Sequence, residues 1–107
     1  MGYFGYSYYE QNSDTLTAVE VDAGDGCVAP SAETVADLSY TPLARELYIY
    51  PSVTNGTDND ALVAFVEYYV ANAASIAETA QFIPLNDDQA STLDGELSDY
   101  QTAVGGT

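Results

Sequence analysis

Seventeen carboxylates and a single basic side chain, Arg45, hold nearly all the ionic chemistry of this 107-residue chain, which has no Lys and no His. Without His, the lone thiol of Cys27 has no imidazole base to activate it, so a Cys–His nucleophile is excluded. Cys27 reads as a small half-buried residue. Neighbouring carboxylates suit general acid–base work, and Asp87-Asp88 and Glu33 with Asp37 are such pairs. With seventeen acids in the chain, close pairs are unavoidable, and these read as solvated surface charge. Asp22 with Asp25, and Asn55 with Asp58 and Asp60, offer oxygen ligands of the kind a calcium or magnesium ion takes. Their spacing does not match the alternating ligands and closing Glu of an EF-hand loop. Arg45 could grip an anion through two parallel hydrogen bonds, but it reads as a structural partner for a carboxylate or carbonyl. Tyr3, Phe4, Tyr6, Tyr8 and Tyr9 could stack on bases only beside a basic groove. None is available, so they are expected in the core. Asn55-Gly56-Thr57 has the form of an N-glycosylation acceptor in a predicted loop. The residues therefore nominate no catalytic, ligand-binding or metal-binding set, and no cofactor.

The elements that would position these groups have to form under a formal net charge of −16. The length predicts one compact domain. The 47% hydrophobic content, with ten Tyr and three Phe, argues against disorder. Charge repulsion of this size opposes compaction in dilute buffer. At about 1 M salt the Debye length falls to about 3 Å and the repulsion is screened. A globular core beneath a lysine-free acidic surface thus reads as adaptation to high salt. Nucleic acid and anionic membrane surfaces are poor partners, since counterion release requires Lys or Arg, and no nucleic-acid partner is expected. One cysteine makes no internal disulfide. No run of 18 apolar residues predicts a membrane span. The N-terminus lacks the basic region of a signal peptide, which leaves a cytoplasmic chain or a mature piece.

Along the chain, the aromatic start predicts a strand over 2–6 and a short helix over 7–12. Alternation predicts a strand over 16–21, broken by Gly24-Asp25-Gly26. Ser31 is expected to cap a helix reaching Leu38. Residues 43–50, apolar on both faces towards the end, predict a central strand covered on both sides. Pro51 and Asn55-Gly56 mark a loop. A long helix is expected over 58–79, with Leu62, Phe65, Tyr69 and Ile76 as its apolar stripe, widened by Ala61, Ala64 and Tyr68. Asn86 and Gln89 form a capping-box pattern. The helix that follows carries Ala90, Leu93, Leu97 and Tyr100 on one face, and the last four residues should fray. The order implies α/β layering. It also leaves the central strand short of neighbours, which points to further sequence or a partner chain.

Five blocks occur in order: GYFGYSYYE (2–10), VAPSAETVAD (28–37), YTPLARELYIY (40–50), FVEYYVANA (65–73) and FIPLNDDQ (82–89). In this the chain resembles the C-terminal portion of the PstS-like phosphate-binding proteins of ABC transporters, a type II periplasmic-binding-protein family. The resemblance implies an α/β fold, here a partial lobe with a sheet flanked by helices, incomplete relative to the family. Residues 1–22 would be the end of the second lobe and the hinge, and 23–107 the C-terminal part of the first lobe. It also implies inorganic phosphate as the parent's ligand, an ABC permease as its partner and an extracytoplasmic, cell-surface location. Family members hold phosphate with Ser/Thr/Gly-rich loops, an Arg and an Asp from earlier in the chain. Those motifs do not occur here, so no ligand residue is carried over. Arg45 matches the family's Pro-Leu-Ser-Arg-Pro-Leu block, whereas Ala44 and Glu46 depart from it. The expectation is a fragment that is not an enzyme and does not bind phosphate alone. The alternative is a self-standing acidic domain that forms a homo-oligomer through its strand edge.

Overall fold

The computed structural model describes residues 1–106, about half of them helical, with one two-stranded sheet. An α/β composition is therefore present. The chain divides into two compact units, residues 1–46 with 81–83, and residues 47–80 with 84–107.

The first unit opens with helix α1 (Tyr6–Glu10) after Gly5. The strand expected over 2–6 does not form. Tyr6 instead pairs with Tyr9 one turn along α1, 6.1 Å between ring centroids, and Phe4, which precedes the helix, packs on Tyr8 at 5.1 Å. Most of the strand expected over 16–21 is also missing. Only β1 (Val21–Asp22) pairs, antiparallel, with β2 (Cys27–Val28). The intervening turn is built on Asp22. Its Oδ1 accepts from the Gly24 N–H at 2.7 Å and the Gly26 N–H at 3.1 Å, and both glycines sit at positive φ. Ser31 caps α2 (Ala32–Ala36) as expected. Its hydroxyl accepts from the Thr34 N–H, and the Thr34 hydroxyl accepts from the Ser31 N–H, each at 3.0 Å. The helix stops short of Leu38, which lies at φ +64°, and the Tyr40 N–H closes the end on the Thr34 carbonyl. Tyr40 is the buried hydrophobic residue of this unit. The Gln11 side chain donates to that of Gln81 at 2.8 Å, which ties in the returning segment.

The central strand expected over 43–50 is not a strand. The rings of Tyr48 and Tyr50 still pair, with centroids 6.4 Å apart. A ladder needs a hydrogen-bonding neighbour, and among the described residues the sheet consists of β1 and β2 alone. Where a loop was expected, Ser52 caps a one-turn helix, α3 (Val53–Thr57). The Asn59 side-chain oxygen Oδ1 accepts from the Ala61 and Leu62 N–H groups to start α4 (Asp60–Ala71). The long helix breaks at Asn72, which ends α4 and begins α5 (Ala73–Thr79); its side chain donates to the Tyr68 carbonyl. The capping box of Asn86 and Gln89 starts α6 as expected. That helix (Asp87–Gly105) runs through residues expected to fray, because Val104 packs on the core. Thr107 lies outside the described residues.

Val66, Val70 and Tyr100 form the core of the second unit, joined by Leu62, Val63, Leu93, Leu97 and Val104. The buried face of α4 thus runs through 62, 66 and 70, at i+4 spacing. Phe65 and Tyr68 of the expected stripe are exposed. Gly56 is buried against this core, where an added Cβ would sit 2.5 Å from Tyr100 Oη and 2.9 Å from Val104 Cγ2. The amide of Gln101 on α6 donates to Glu67 on α4 at 2.6 Å.

Candidate interaction surface

The acidic groups considered for chemistry are used locally. The two amides donated to Asp22 hold its carboxyl below the usual range, the Gly24 bond contributing most. That carboxylate organises a turn. The hydroxyl and backbone amide of Ser39 lower Asp37 in the same way. Asp87 and Asp88 lie exposed in the first turn of α6, where negative charge complements the helix dipole. Asn55 is exposed on α3 and Asp58 follows that helix, while Asn59 spends its side-chain oxygen on the α4 cap. Among the described residues no group of three or more Cys, Asp or Glu side chains comes together to hold a metal ion. Cys27 is exposed rather than half-buried, and Arg45 is exposed too. Nor do the N-terminal aromatics all enter a core. Tyr3, Phe4 and Tyr8 are exposed, and Tyr6 and Tyr9 are half-buried. No described helix is long and apolar enough to cross a membrane.

The surface that stands out is apolar. Leu43, Leu47, Tyr48, Ile49 and Tyr50 are all exposed, from 43% at Ile49 to 88% at Tyr50. Fully burying one such side chain is worth roughly 1.5–3 kcal/mol. Leu47–Tyr50, at the start of the second unit, is an unbroken run of four exposed apolar side chains. Solvated apolar segments of this kind mark interaction sites.

Protein SphX of Synechocystis sp. is 47% identical over 88 residues, 82% of this chain and 26% of its own length. The phosphate-binding protein PstS of Staphylococcus saprophyticus is 35% identical over 100 residues, 92% of this chain and 31% of its own. PstS of Staphylococcus aureus (strain USA300) is 33% identical over 105 residues, 97% of this chain. The chain is homologous to the C-terminal portion of PstS-like proteins. It spans between a quarter and a third of the length of the relatives it matches. No family model matches. No solved structure matches either. The PstS-like match covers the exposed run 43–50 together with most of the helices, so it concerns the whole of the described fold rather than one motif.

Proposed function

We propose that this chain is the C-terminal part of the phosphate-binding component of an ABC transporter, and that it does not bind phosphate alone. The observation that carries the reading is a match across four-fifths or more of the chain to relatives three to four times as long, two of them named phosphate-binding proteins. In this reading the chain is a partial type II periplasmic-binding-protein lobe. Residues 1–22 end the second lobe and form the hinge, and 23–107 complete the first. The apolar run 43–50 is a strand whose neighbours come from the rest of the lobe. The phosphate-holding loops also lie there, so no residue here is a ligand and the protein is a carrier, not an enzyme. Its partners are phosphate, through the complete protein, and an ABC permease outside the cytoplasm. The net charge of −16 sets its working medium as concentrated salt. Sequencing the DNA next to codon 1 tests this proposal. It predicts upstream coding sequence for Ser/Thr/Gly-rich loops of the PstS-like type, and unrelated sequence there would overturn it.

The exposed run also favours a second reading, in which the isolated chain covers Leu47–Tyr50 with a second copy. Light scattering at about 1 M salt decides it. A dimer supports self-association, and a cooperatively melting monomer rules it out.

A further inference from the structure

No further inference is drawn: the strongest candidate, the aromatic face that Tyr3, Phe4 and Tyr8 present around α1, is an unpartnered apolar face, and nothing in the structure shows what covers it.

Discussion

Tyr100 brings a hydroxyl into the core of the second unit, where among the described residues it has no hydrogen-bond partner. Leaving such a group unsatisfied costs about 1–3 kcal/mol. Tyr100→Phe is therefore expected to leave the melting temperature unchanged or raise it, as calorimetric scanning in concentrated salt would show. Gly56→Ala should do the opposite. Its methyl would press on the Tyr100 hydroxyl and Val104, and overpacking of this kind costs about 1–3 kcal/mol. Asp22 makes a prediction about pH. Its folded pKa is depressed, so its contribution is present above the unfolded value of about 3.9 and is lost as pH falls through the folded value. Global unfolding is a poor probe of this, since protonating the other acids also relieves repulsion. The amide resonances of Gly24 and Gly26 are a local one. They should shift with Asp22 protonation in the wild type, and lose that titration in Asp22→Asn, which keeps the acceptor oxygen.

At the level of elements, the parts readable from sequence are those whose cause is local. Ser31 and Asn86 announce their helices because a cap needs only residues three positions away. Asn86→Ala should accordingly lower stability by about 1 kcal/mol, measured by denaturant unfolding. The strands failed for the complementary reason. Residues 43–50 have the composition of a buried strand, but composition cannot supply a hydrogen-bonding neighbour, and none is described. Gly2 to Tyr6 went the same way, with Phe4 packing on Tyr8 of α1 instead. The break at Asn72 left a weak signal. An Asn within an alanine-rich helix bonds back to the Tyr68 carbonyl and competes with the helical ladder. The one-turn helix α3 hid behind Asn55-Gly56, read as a loop signal, although Ser52 three residues before Asn55 is a cap. The interaction surface was half legible. Its residues were evident, whereas their exposure follows from what surrounds the chain.

For the whole molecule, a net charge of −16 on 107 residues makes salt the dominant external variable. The melting temperature should climb steeply between about 0.1 M and about 1 M salt, as the Debye length contracts from about 10 Å to about 3 Å, and sodium and potassium chloride should act alike if screening is the cause. Acidity and phosphate are compatible in this setting. Screening removes long-range repulsion, and neutral donors at helix N-termini can hold an anion without a basic surface. The most direct test of the account is calorimetric titration of inorganic phosphate into the isolated, folded chain at about 1 M salt. On the proposed reading the groups that hold phosphate lie outside this chain, so no binding heat is expected. Saturable binding at about micromolar affinity would contradict it.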